Sequence, residues 1–138
     1  MSEHSGAAPG QPERLVVYHH PNCGTCKKAL AALKAAGAPV ELIDLRQSPP
    51  SAEALRALMA AAGQPLRRWF NTSGQSYRAG GWAQKVADLS EDDALQALSS
   101  DSMLLRRPIL ALGDGAPRRA LVGFEPEALT ALLAERRA

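Results

Sequence analysis

Cys23 and Cys26 stand three residues apart, with only Gly24 and Thr25 between them, and the chain holds no other cysteine. A cysteine attacks another centre only as the thiolate. At the first turn of a helix, unpaired backbone N–H groups point at whatever sits at the cap and favour a negative charge there. A sulfur at the cap with a second sulfur one turn further on makes a nucleophile and a thiol that can close a disulfide onto it. Gly24 and Thr25 are small and leave the outer sulfur open to a partner. The helix end does not suffice alone. Lowering a cysteine pKa by about two units takes roughly 2.7 kcal/mol of preference for the thiolate, whereas a helix terminus supplies about 0.3–1 kcal/mol, or ~2 in a favourable site. The rest must come from N–H donors or a cation, and Arg107, just before Pro108, is the candidate.

Other chemistries fit the same residues less well. Zinc in a closed structural site takes four ligands, and His19 or His20 would have to join the cysteines. Neighbouring residues of a strand point to opposite faces, so one histidine at most would help, and no second Cys-x-x-Cys or His pair follows. No metal is expected. A pair of inert cysteines is the remaining alternative.

The elements around the motif decide its setting. Residues 14–19 (RLVVYH) are β-branched and aromatic between Pro12 and Pro21 and read as a strand. Pro21 and Asn22 turn the chain into a helix over residues 24–36, with Cys26, Leu30 and Leu33 near one face and Gly37 as its stop. Residues 39–45 (PVELIDL) form a second strand, which completes a βαβ unit and a parallel pair. Residues 48–105 then carry no strand pattern: a helix opens at Ser51 and ends at Gly63, residues 65–70 form a short helix, residues 71–74 a loop, residues 76–87 an irregular helical stretch, and Ser90 caps a helix to Ser100. Residues 108–112 (PILAL) and 119–123 (RALVG) read as strands around a hairpin turn at Gly113-Asp114-Gly115, and residues 125–136 as a closing helix with Leu129, Leu132 and Leu133 inward. The order βαβ, helical insert, ββα is that of an α/β thioredoxin-like fold with a four-stranded mixed sheet. Residues 14–138 make one such domain, behind a disordered tail at residues 1–13 that is rich in Gly, Ala, Pro and Ser. A Cys-x-x-Cys at a strand-to-helix junction of a βαβ unit is a redox signature.

Composition narrows the setting. The 138 residues are 46% hydrophobic and 22% charged with a net charge of +2, the balance of an ordinary globular protein, and too even to predict direct DNA binding. No apolar run approaches the roughly 20 residues of a membrane span, and the start lacks the apolar centre of a secretory signal. The expected location is the cytoplasm, where thiols are kept reduced. A monomer is the default.

The run Tyr18-His19-His20-Pro21-Asn22-Cys23-Gly24-Thr25-Cys26-Lys27-Lys28-Ala29 resembles the active-site segment of the ArsC-like arsenate reductase family, which includes the Spx/MgsR regulators. Further matches are Pro49-Pro50-Ser51, Phe70-Asn71-Thr72-Ser73-Gly74 with Tyr77-Arg78, Leu104-Leu105-Arg106-Arg107-Pro108 and Val122-Gly123-Phe124, so the resemblance spans residues 14–135. Asn71 to Gly74 and Asp101 to Leu104 look most like an uncharacterised branch bearing both cysteines. The resemblance implies a thioredoxin-like fold with a helical insertion, Cys23 as nucleophile, Arg107 facing thiolate and anion, and a cis bond between Arg107 and Pro108 that presents backbone for docking an extended thiol substrate. Glutaredoxin-linked arsenate reductases of this family use three arginines around the oxyanion. Here Arg107 matches one, while Asn71 and Gly123 stand where the others would, and each lost charge-assisted bond weakens an anion by about 1.5–3 kcal/mol.

The expected activity is that of a thiol–disulfide oxidoreductase. Cys23 attacks a disulfide, a glutathione mixed disulfide or a small oxyanion, and Cys26 resolves the intermediate. No cofactor is bound; glutathione with glutaredoxin, or thioredoxin, is the expected reductant. The alternative is a Spx-like regulator in which the dithiol senses redox state and the surface binds RNA polymerase. Asn71 and Thr72 are candidates to hold a substrate thiol or oxyanion, although Asn71 would equally serve as a cap. The pairs Arg67-Arg68, Arg118-Arg119 and Arg136-Arg137 read as solvated faces. Arg106 reads as exposed beside an inward Arg107, and Trp69, Phe70 and Trp82 as packing for the insert. His19 or His20 is either a base near Cys23 or a structural strand-end residue, and Gly123 is a backbone accommodation.

Overall fold

The computed structural model of the chain describes residues 11–138, so most of the expected tail lies outside the described residues. Strand β1 (Leu15–His19) leads through helix α1 (Gly24–Ala35) to β2 (Glu41–Asp44). The insert follows as α2 (Ala52–Ala62), a 3-10 turn (Leu66–Trp69), α3 (Gln75–Ala79), α4 (Trp82–Lys85) running into a 3-10 turn (Val86–Asp88), α5 (Glu91–Ser100) and a last 3-10 turn (Ser102–Leu104). Strands β3 (Ile109–Leu112) and β4 (Arg119–Val122) and helix α6 (Pro126–Glu135) complete the chain. The sheet order is β2-β1-β3-β4, with β1 parallel to β2 and antiparallel to β3, and β3 antiparallel to β4. This is the expected α/β framework, a mixed four-stranded sheet of thioredoxin type with a helical insertion.

Central strands β1 and β3 are buried on both faces, so alternate residues serve two cores. Leu15, Val17, Leu110 and Leu112 pack with Leu33 of α1 and with Leu129 and Leu132 of α6. Val16, Ile109 and Ala111 pack with the insert: Leu55 and Leu58 of α2, Leu95 and Leu98 of α5, and Trp69, Phe70 and Leu105. The insert therefore forms the second layer of the domain. Its helices open on Ser51, whose hydroxyl accepts from Ala54 N–H, and Ser90, whose hydroxyl accepts from Asp93 N–H, both at 3.1 Å. Arg56 of α2 ties the two together by pairing with Glu91 and Asp92.

Two expectations change here. The β3–β4 connection is a loop over residues 113–118, not a tight turn at Gly113-Asp114-Gly115. Pro117 has no N–H to give, and pairing resumes only where Arg118 N–H donates to Leu112 C=O at 2.9 Å. The tail also stops short of Glu13, which is 3% exposed. Its carboxylate accepts from Arg118 Nε and Nη2 at 2.6 and 2.7 Å, and its backbone N–H donates to Arg137 C=O at 2.7 Å.

Candidate active site

Strand β1 ends at His19, and a tight turn closes when Cys23 N–H donates to His20 C=O at 3.0 Å. His20 Nδ1 accepts from Asn22 N–H at 3.2 Å. The turn delivers Cys23 to the N-cap of α1 in an extended conformation, φ −93° and ψ 118°, where its Sγ accepts from Cys26 N–H at 3.3 Å. Cys23 is half-buried and Cys26 is fully buried; both are free thiols. Their acidities diverge. Burial pushes the Cys23 thiol up, but hydrogen bonds from the Cys26 side chain and backbone, together with the Arg107 guanidinium, outweigh it and bring the pKa below its ordinary value. Burial beneath the nucleophile drives Cys26 the other way, up to about 12. The outer sulfur is the better anion and the inner one keeps its proton.

Cys23 opens onto a cleft of about 390 Å³ lined also by Thr25, Arg68, Asn71, Ser73, Arg106, Arg107, Gly123, Phe124 and Glu125. Most of its far wall depends on a short antiparallel bridge between Phe70 and Leu105. Asn71 N–H donates to Leu104 C=O at 2.7 Å, and Arg106 N–H donates to Trp69 C=O at 2.8 Å. Phe70 and Leu105 are wholly buried, so the polar residues flanking them are carried to the cleft. Arg106 Nε donates to Arg68 C=O at 2.6 Å, and Arg68 Nη2 pairs with Glu125 at 3.1 Å. Arg107 Nη1 donates at 3.4 Å to the carbonyls of Met103 and Leu105, and its Nε is buried without a hydrogen-bond partner. Burial and then the Arg107 and Arg46 charges hold His20 below its ordinary pKa, so His20 sits neutral behind the site.

The structure brings Cys23, Cys26, Arg107 and Asn71 together. Thr72 is exposed and does not line the cleft, where Ser73 stands instead. Pro108 is buried behind the wall, joined to Arg107 by a cis peptide bond, and its carbonyl accepts from Gly123 N–H at 2.8 Å. Trp69 and Phe70 lie in the core and Trp82 stacks on Phe70 with centroids 5.7 Å apart, so the aromatic residues pack the insert, and Phe124 supplies the ring at the cleft. The reading of Arg68 and Arg106 as solvated is corrected: both are part-buried and face the cleft. A signal for this was present. The segments RRWF (residues 67–70) and LLRR (residues 104–107) each join an arginine pair to an apolar pair, and burying the apolar pairs side by side gathers the arginines. Among the described residues, no three His, Cys, Asp or Glu side chains gather as a metal site would require, and no helix is long and apolar enough to cross a membrane.

The ArsC family model matches residues 18–132, nearly the whole domain and every element of this site. The chain belongs to the ArsC family. It is 39% identical over 113 residues to the uncharacterized protein YusI of Bacillus subtilis, a match covering 82% of this chain and 92% of YusI. An arsenate reductase of Rhizobium meliloti is 29% identical over 96 residues, covering 70% of this chain and 67% of that one. Among solved structures, a possible arsenate reductase from Streptococcus mutans superposes with a TM-score of 0.74 at 36% identity, over 86% of this chain and 98% of its own. Gly123, at φ +83°, leaves space that a Cβ would contest, 3.3 Å from Arg106 Cδ and 3.5 Å from Arg68 Nη2. A side chain at position 123 would crowd Arg106 and Arg68, which lie beside it in the cleft.

Proposed function

We propose that this ArsC-family protein is a cytoplasmic thiol–disulfide oxidoreductase in which Cys23 attacks and Cys26 resolves. The observation that supports it is the split environment of the two sulfurs: one half-buried at a helix N-cap beside Arg107, the other sealed beneath it with its proton retained. In the first step the Cys23 thiolate attacks one sulfur of a substrate disulfide. A Cys23–substrate S–S bond forms, the substrate's own S–S bond breaks, and the departing half leaves as a thiolate. Cys26 then gives up its proton to solvent or to the departing thiolate and attacks Cys23 Sγ, which releases the second half. Two electrons have passed from the Cys23–Cys26 dithiol to the substrate, and an external thiol restores the dithiol. Glutathione with glutaredoxin, or thioredoxin, fills that role, and no bound cofactor is needed.

A second reading, favoured by the arginines in the cleft, is reduction of a small oxyanion such as arsenate, the reaction for which several relatives are named. Cys23 would displace an arsenate oxygen, released as water, to form an S–As bond. Cys26 attack on Cys23 Sγ would then leave the electron pair on arsenic as arsenite.

Mass spectrometry of Cys26→Ala protein after incubation with a small disulfide tests the dithiol mechanism. The expected outcome is a mixed disulfide on Cys23 that persists in the variant, whereas wild type passes to the internal disulfide and frees the substrate. Absence of any adduct on Cys23 would contradict the mechanism.

A further inference from the structure

The site places one guanidinium at the reacting sulfur and two away from it. Arg107 is the cation that acts on Cys23. Arg68 and Arg106 lie instead toward Gly123 and Glu125, with the Arg106 side chain held to the Arg68 backbone by the hydrogen bond from Arg106 Nε to Arg68 C=O. Each is part-buried and each feels the other as a like charge; burial first, and Arg68 second, hold the Arg106 pKa below its usual value. Among the described residues one carboxylate, Glu125, meets Arg68, and none lies within ion-pair distance of Arg106. Two neighbouring guanidiniums of which one alone has a carboxylate partner are an incomplete ion cluster, and a second carboxylate completes it. Glu125 on Arg68 is itself a carboxylate docked here. Planar guanidiniums match carboxylates by paired N–H···O bonds.

We propose that Arg68 and Arg106 form a subsite for a carboxylate carried on the thiol half of the substrate that becomes bonded to Cys23, so that small anionic disulfides, such as those of carboxylate-bearing thiols and short acidic peptides, are the favoured substrate class. This rests on the oxidoreductase reading and adds a selectivity to it. The cleft is large enough for such a group beside the sulfur. Glu125 competes with the incoming carboxylate for Arg68, and so tunes the selectivity downward.

Two pairs of probes test this, one for each layer of the proposal. Cys23 in Cys26→Ala protein is alkylated with iodoacetate, an anion, and with iodoacetamide, its neutral analogue. The ratio of rates is compared with that of a free cysteine peptide. The expected ratio exceeds the peptide's by about tenfold, the scale of one charge-assisted contact. It falls by a similar factor in Arg106→Gln and Arg68→Gln, recovers in part in Arg106→Lys, and rises in Glu125→Gln, a gain that misfolding would not produce. In the wild-type background, reduction of dithiodipropionate, which carries two carboxylates, is compared with that of hydroxyethyl disulfide, and kcat/KM should favour the anion with the same response to the variants. A peptide-like alkylation ratio, or arginine variants that slow both alkylating reagents equally, overturns the subsite. A preserved iodoacetate preference with no turnover of either disulfide overturns the oxidoreductase reading, and with it the substrate class. Turnover of both disulfides at equal kcat/KM overturns the selectivity alone while leaving that reading in place.

Discussion

Cys23 and Cys26 are the same functional group in two environments one helical turn apart, and the chemistry lies in the difference. Hydrogen bonds from the Cys26 side chain and N–H, with the Arg107 guanidinium, favour charge on the outer sulfur, while burial keeps it off the inner one. A dithiol with two equal sulfurs would attack and resolve indiscriminately; this one has an order. Gly123 matters at the same scale for a different reason. Its φ of +83° is a region that side chains rarely enter, and the space where a Cβ would stand is bounded by Arg106 and Arg68. Gly123→Ala is therefore expected to cost about 1–3 kcal/mol in backbone strain, read as a lower urea midpoint with an unchanged slope. It should also push Arg106 aside and reduce the iodoacetate preference of Cys23. A variant as stable as wild type with the preference intact would show that the glycine is incidental.

At the scale of elements, what was legible in the sequence is what local patterning controls. The β-branched and aromatic run in residues 14–19, the serine caps at Ser51 and Ser90 and the stop at Gly37 each carry a local cause, and each element stands within a residue or two of where those causes put it. Cys23 at the junction of β1 and α1 was readable for the same reason. The bridge between Phe70 and Leu105 was not, because it joins residues far apart in the chain and is too short to leave an alternating pattern. Arg68 and Arg106 went unread with it: the arginine pairs beside apolar pairs are visible in the sequence, but only the bridge sets the two segments side by side. The loop after β3 was misread because Gly113-Asp114-Gly115 has the composition of a tight turn, yet Asp114 accepts the Arg14 N–H at 2.9 Å and Pro117 delays the pairing.

Across the whole molecule, the two ends of the described chain are tied together beside the sheet. Glu13 accepts from Arg118 and from Arg137 N–H, and Arg136 Nε donates to Glu13 C=O at 2.7 Å, so the start of β1, the entry to β4 and the end of α6 share one buried carboxylate. The Arg118 hydrogen bonds, against the cost of burial, hold the Glu13 pKa below its ordinary value. The sign follows from linkage: a depressed carboxylate stabilises the fold above its unfolded pKa, about 4.3 for glutamate, and loses that contribution as pH falls through the lower folded value. Glu13→Gln should therefore melt at lower temperature than wild type at pH 7, with the gap closing as the pH drops below about 4. A gap that is constant with pH would mean that packing, not charge, holds the ends.

The central claim is that Cys23 is ionised by its setting. Thiolate absorbance of the reduced wild-type protein, followed as pH is raised, measures it directly, because Cys26, pushed up to about 12, keeps its proton through the Cys23 transition. The expected midpoint lies below that of free cysteine, about 8.5, and Arg107→Gln should raise it by roughly one unit, equivalent to about 1.4 kcal/mol. A midpoint at or above the free value, unmoved by the loss of Arg107, would contradict the thiolate and the mechanism built on it.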